Sequence, residues 1–191
     1  AGHHQWDEGI KTADEIRQIY DCKPLELKPG HKLLMVNLNR SYKKGADLYL
    51  KTENLQITGS FKVRGSAYKI AQLTDEEKKR GVIACSAGNH AQGVALAATK
   101  YGIKSVICLP DGAPISKVEA TKSYGAEVCL VEGVYDDAYE RALQLRDEKG
   151  YTFLHPFNDE DVIAGQGTIG LELLEQLPDL DAIIVPIGGG G

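Results

Sequence analysis

The chain has 191 residues, enough for one large domain or two small ones, each able to bury a core. Hydrophobic residues make up 42% and charged residues 26%, an ordinary globular composition, and a net charge of -5 leaves no footprint for nucleic acid or an anionic membrane. No apolar run approaches the length of a membrane span, no basic-then-apolar leader opens the chain, and the four cysteines lack metal-finger or C-x-x-C spacing.

Three of those cysteines, Cys85, Cys108 and Cys129, lie inside apolar, β-branched runs, where a thiol behaves as a small hydrophobe, as in a reduced cytoplasmic protein. His3-His4 has no third ligand nearby, so no metal site is expected. Thr12-Ala13-Asp14-Glu15 has the form of a capping box before Ile16 and Ile19 and predicts a helix start. Pro24, Pro29 and Gly30 then break the chain into irregular structure.

From Asp47 onward strands alternate with helices. Strands are predicted at Asp47–Lys51, Val82–Cys85, Ser105–Leu109, Glu127–Val131, Thr152–Leu154 and Ala182–Ile187; most are short and β-branched, as suits strands covered on both faces. Helical patterns fill the gaps at Phe61–Gln72, Asn89–Tyr101, Ser116–Tyr124, Tyr135–Lys149 and Asp159–Gln176. A second capping box at Thr74–Glu77 adds a short helix. This order implies an α/β fold with doubly wound parallel sheets, because parallel strands need crossover helices.

In open α/β sheets ligands sit beyond the carboxyl ends of the strands. Three unusual segments fall at such places: Gly59-Ser60-Phe61-Lys62, Ser86-Ala87-Gly88-Asn89-His90 and Gly188-Gly189-Gly190-Gly191. Lys62 opens a helix whose positive end disfavours an ammonium, and a neutral lysine is a nucleophile able to form a Schiff base; taken alone, a solvated surface lysine is the commoner case. Ser86–His90 offers backbone N–H groups, a hydroxyl and an amide to a carboxylate, or else is a capping turn without a ligand. His90 reads more readily as a hydrogen-bonded structural histidine than as an acid or base. The glycine run lets backbone amides close around a phosphate, or is a flexible end. It is not the G-x-G-x-x-G pattern of a dinucleotide site.

With these residues assembled, the chain resembles the fold-type II pyridoxal-phosphate (PLP) enzymes, and among them the short, catabolic threonine/serine dehydratases. The matching stretches are Leu50–Gln56, Thr58–Gly65, Ala84–Gly93, Gly112–Pro114, His155–Phe157, Ala164–Gly170 and Val185 to Gly191, in family order and spacing. The resemblance implies a two-domain architecture: residues 1–55 as the first part of a large domain, 56–155 as a small domain and 156–191 as an incomplete return to the large one. It implies Lys62 as the lysine that carries PLP and takes the substrate α-proton. Phe61 would pack beside the cofactor, Asn89 would bond its phenolic oxygen, and Gly188–Gly191 would cradle its phosphate. The substrate carboxylate would rest on the segment Ser86, Ala87, Gly88, Asn89 and His90. The reaction implied is loss of the β-hydroxyl from L-threonine or L-serine, giving a 2-oxo acid and ammonia. Such enzymes continue beyond the position of Gly191, and in complete form are homo-oligomers, dimers or tetramers.

A serine racemase is the main rival, but racemases place a second acid/base serine where this chain has Ala87, and a polar residue where it has Phe157. A cysteine-synthase-type enzyme fits Ser86–Gly93 less well, and a catalytically inactive PLP-fold fragment is the further alternative. The stretch Lys28–Gly45 departs from such dehydratases, whose Thr-Pro-centred segment leads to substrate contacts and is matched only weakly by Lys23-Pro24-Leu25. Threonine and serine remain open, because one methyl group is worth only about 1–3 kcal/mol in an apolar pocket.

Overall fold

The computed structural model describes residues 10–12, 32–35 and 47–186. They form two compact units, one drawn from residues 1–56 and 169–188, the other from 57–168.

The first unit holds a four-stranded sheet. Its strands are β1 (Ile10–Thr12), β2 (Lys32–Met35), β3 (Asp47–Lys51) and β8 (Ala182–Ile184), in the order β1-β3-β2-β8. β2 runs parallel to both neighbours, pairing Leu33 with Leu48 on one side and with Ala182 on the other. β1 is antiparallel to β3, so the sheet is mixed at that edge rather than wholly parallel as the sequence suggests. No strand is predicted before Asp47, yet β1 and β2 are both present. Thr12 ends β1, and the helix expected after it lies outside the described residues. At the end of β3 Lys51 is almost wholly buried, and its ammonium meets the Glu172 carboxylate at 2.6 Å and the Gln176 amide oxygen at 2.9 Å.

The second unit is built on a wholly parallel sheet. β4 (Val82–Cys85), β5 (Ser105–Pro110), β6 (Glu127–Val131) and β7 (Thr152–Phe153) stand in the order β6-β5-β4-β7. Side chains alternate across β4, which sets up two cores. Val82 and Ala84 face Ile70, Val94, Ala95, Ala98, Ile107 and Leu154; Ile83 and Cys85 face Val106, Cys108, Ala138 and Ala142. The first core is covered by α1 (Lys62–Gln72), α3 (Asn89–Lys100) and α4 (Ile115–Ser123), the second by α5 (Tyr135–Lys149). Between α1 and β4 lies α2 (Asp75–Arg80), capped by Thr74 and Glu77 as its sequence predicts.

The fully buried Ala91, Ala95 and Ala98 let α3 lie close on the sheet. A further long helix, α6 (Glu160–Gln176), begins in this unit, whose extent runs through residue 168. Cys85, Cys108 and Cys129 are register partners across β4, β5 and β6 and are free thiols. Burial pushes the Cys85 thiol up to about 11 and the Cys108 thiol up to about 12. Among the described residues no helix is long and apolar enough to cross a membrane, and no cluster of side chains could hold a metal ion.

Candidate active site

The strand order fixes where a ligand belongs. The chain steps from β4 to β5 to β6 in one direction, then returns to place β7 on the other side of β4. The switch point therefore lies between the carboxyl ends of β4 and β7, where a crevice opens in doubly wound sheets. Two segments leave the sheet at that point: Ser86–Gly88 from β4 and His155–Asn158 after β7.

Lys62 reaches the same place from α1. A turn precedes it in which Thr58 Oγ donates to the Ser60 carbonyl at 3.4 Å, and the Lys62 N–H donates to Ser60 Oγ at 3.4 Å. Lys62 is thus the first residue of α1, as its sequence predicts. Its backbone lies against α3: a Cβ added to Gly93 would stand 3.0 Å from the Lys62 carbonyl carbon, so glycine permits this approach. On its other side α1 packs on α6, where a Cβ on Gly165 would lie 2.6 Å from Gly65 Cα and 2.8 Å from the Arg64 carbonyl. Gln166 Oε1 accepts the Gly65 N–H at 3.2 Å, a side-chain tie between the first turn of α1 and α6.

The Lys62 side chain is half-buried, and Nζ donates to the Pro156 carbonyl while standing 5.4 Å from the centre of the Phe61 ring. Desolvation by burial lowers its pKa from the ordinary lysine value. Among the described residues no carboxylate pairs with it.

Two histidines frame the amine. His90 is buried, with Nε2 donating to the Leu154 carbonyl at 3.0 Å and Nδ1 without a partner among the described residues. Burial holds it neutral by lowering its pKa to about 4, a pull that the Leu154 hydrogen bond opposes and the Lys62 charge assists. This is the structural histidine that the sequence favours. His155 is pulled below the usual histidine range by burial, against the attraction of Asp159. Its Nδ1 accepts the N–H groups of Phe157 at 3.2 Å and Asn158 at 2.8 Å.

At the start of α3, Ser86 Oγ accepts the Gly88 N–H at 3.1 Å, which leaves its own proton to donate. Gly88 caps the helix without a side-chain bond, and Asn89 is exposed at its first position. The first-turn amides are therefore open to an anion. The structure sets Phe61 beside Lys62 and places His90, in the helix that follows Ser86–Gly88, within electrostatic reach of the amine; Gly188–Gly191 lies outside the described residues. His155 and Pro156 belong to a stretch on which the family resemblance rests, and nothing in the sequence assigns either a role. No residue-type signal could have found Pro156, because it acts through its carbonyl.

A family model described as pyridoxal-phosphate dependent enzyme matches residues 32–191. The L-threonine ammonia-lyase of Thermotoga maritima is 58% identical over 77% of this chain, which covers 37% of that protein. Among solved structures, the processed form of threonine deaminase isoform 2 from Solanum lycopersicum superposes with a TM-score of 0.73 at 43% identity, over 74% of this chain and 41% of that one. A maize serine racemase superposes with a TM-score of 0.72 at 44% identity, over 74% of this chain and 43% of that one. The chain thus spans about two fifths of the length of these relatives.

Proposed function

The chain belongs to the family of pyridoxal-phosphate dependent enzymes, and from that premise we propose that the protein deaminates L-threonine, and L-serine beside it, to a 2-oxo acid and ammonia. The environment of Lys62 carries this reading: a desolvated amine at a sheet switch point, met by a carbonyl and an aromatic face and framed by two neutral histidines.

These residues fit pyridoxal phosphate. A lowered lysine pKa provides the nucleophilic free amine that the cofactor aldehyde requires, and the uncapped start of α3 provides donors for an anionic substrate group. When bound, the cofactor supplies an electron sink for the charge that develops at the substrate α-carbon. Lys62 would hold it, then accept the α-proton at Nζ. Ser86 Oγ and the amides at Asn89 and His90 would orient the substrate carboxylate, with Asn89 directed to the cofactor's ring oxygen and Gly188–Gly191 to its phosphate. Ala87 carries no proton for the opposite face of the α-carbon, and the Phe157 ring packs edge-on against His155 at 4.7 Å, an apolar neighbour. Both favour elimination over racemisation, in agreement with the threonine ammonia-lyase match. Free thiols at Cys85, Cys108 and Cys129 support a cytoplasmic setting. The resemblance alone supports assembly of the complete protein into a dimer or tetramer.

Borohydride reduction after incubation with pyridoxal phosphate, followed by peptide mass mapping, tests the cofactor site. A phosphopyridoxyl adduct confined to Lys62 and absent from Lys62→Arg is expected, with 2-oxo acid released from L-threonine in a parallel assay. Labelling scattered over exposed lysines would sink the site. D-serine formed from L-serine in place of 2-oxo acid would select the racemase reading, and an adduct without turnover a fold that binds cofactor only.

A further inference from the structure

We propose that His155 is a positioning residue for Lys62: its ring nitrogen Nδ1 sets the turn that aims the Pro156 carbonyl at the lysine amine. The proposal rests on Lys62 being the cofactor lysine for its functional meaning, though the geometry stands apart from that reading. Nδ1 accepts N–H groups from residues two and three places downstream, at 3.2 Å from Phe157 and 2.8 Å from Asn158. It can do so only unprotonated, so the neutral ring carries its proton on Nε2.

The peptide between Pro156 and Phe157 converts that bond into an aim. In a trans peptide the N–H and the preceding C=O point in opposite directions, and the described chain has no cis bond. Drawing the Phe157 N–H onto the His155 ring therefore turns the Pro156 carbonyl away from it, and that carbonyl is the acceptor for Lys62 Nζ. Proline fixes its own φ and removes a way for the turn to relax. The ring is itself held, edge-on to Phe157 at 4.7 Å and to Phe153 at 6.4 Å. The same two-and-three pattern recurs immediately after it, where Asp159 Oδ1 accepts from Asp161 at 3.0 Å and Val162 at 3.1 Å to open α6. There a side-chain oxygen does what the imidazole nitrogen does at 155.

This likeness supplies the test. Asparagine puts an acceptor where Nδ1 stands, whereas glutamine puts one near Nε2. In cofactor-free protein, acetylation of Lys62 would be followed against pH by mass spectrometry, with exposed Lys79 as the internal reference. His155→Asn is expected to match the wild type. His155→Gln frees the amine toward solvent and moves its labelling at neutral pH toward that of Lys79 by about threefold or more, the equivalent of half a pKa unit. An unchanged His155→Gln, or a His155→Asn shifted as far, overturns the proposal. Ring nitrogen NMR of the wild type decides it without any variant: a proton found on His155 Nδ1 overturns it. If borohydride leaves Lys62 unlabelled while the asparagine–glutamine split holds, the cofactor reading falls and the positioning role stands.

Discussion

Lys51 and Lys62 sit in different units of one chain and meet opposite surroundings. Lys51, at the end of β3, has its side chain only 1% exposed, and its charge is met by the Glu172 carboxylate and the Gln176 amide. Lys62, at the start of α1, is less deeply buried, yet among the described residues its amine meets only the neutral Pro156 carbonyl and the Phe61 ring. Lys69, farther along α1, is the intermediate case. Burial pulls its pKa down, but hydrogen bonds and charge from Asp161 and Asp159 outweigh that and the net shift is upward. What its partner is, more than how deeply it lies, separates a lysine that holds structure from one available for chemistry.

The largest effect that would break this contrast is expected at Lys51. Glu172→Leu leaves a buried ammonium without its carboxylate and should lower unfolding stability by about 3–5 kcal/mol. Lys51→Met removes the buried charge itself and should cost clearly less. Urea unfolding of the two variants compares them, and equal losses would mean that Lys51 matters for its packing rather than its pairing.

A second, smaller effect belongs to the neutral surroundings of Lys62. Burial lowers the His90 pKa to about 4 in the folded chain, against about 6.5 for an unperturbed histidine. Between those values the unfolded chain binds a proton that the native chain does not, so stability is full above about pH 6.5 and falls as pH drops toward 4. That histidine should account for about 2–3 kcal/mol of the loss. Urea unfolding across this range should show it together with an NMR titration of His90; a His90 ring that protonates near 6.5 in the folded protein would remove both the slope and the neutral frame.

The smallest effect sharpens the intermediate case. Lys69→Met breaks pairs to Asp159 at 3.0 Å and Asp161 at 2.9 Å that are partly open to water, and should cost about 1 kcal/mol, less in high salt. A loss as large as that of Glu172→Leu would place Lys69 with the structural lysines.

Much of the second unit is legible in the sequence because its signals are local. Val82–Cys85 and Glu127–Val131 are apolar, β-branched runs, and the structure keeps their boundaries. Thr74 and Glu77 announce α2 by their spacing alone. β2 is hidden because Lys32–Met35 lacks β-branched residues, follows Pro29 and Gly30, and gains its pairing from β3 and the remote β8. Of the site, Lys62 is visible because a Gly-Ser turn sets it at a helix start, and Ser86–His90 because they follow a strand. The Lys51 bond to Gln176 spans 125 residues, and the Lys62 bond to Pro156 spans 94 and ends on a carbonyl common to every residue type. His155 is a separate case: its pattern is as local as that of Asp159, but an imidazole is not ordinarily read as a turn-forming acceptor.

The row of thiols across β4, β5 and β6 gives the second unit an internal clock. Cys85 and Cys108 are fully buried and their thiols are held well above neutrality, so a thiol reagent at neutral pH meets them only when the sheet opens. Cys129, partly accessible in the folded chain, marks the start of the count. The delay between its labelling and that of the other two measures how often the centre of the sheet parts from its neighbours. Ligands that close the crevice beside β4 should lengthen that interval, which makes these cysteines a reporter of occupancy with no foreign label on the protein.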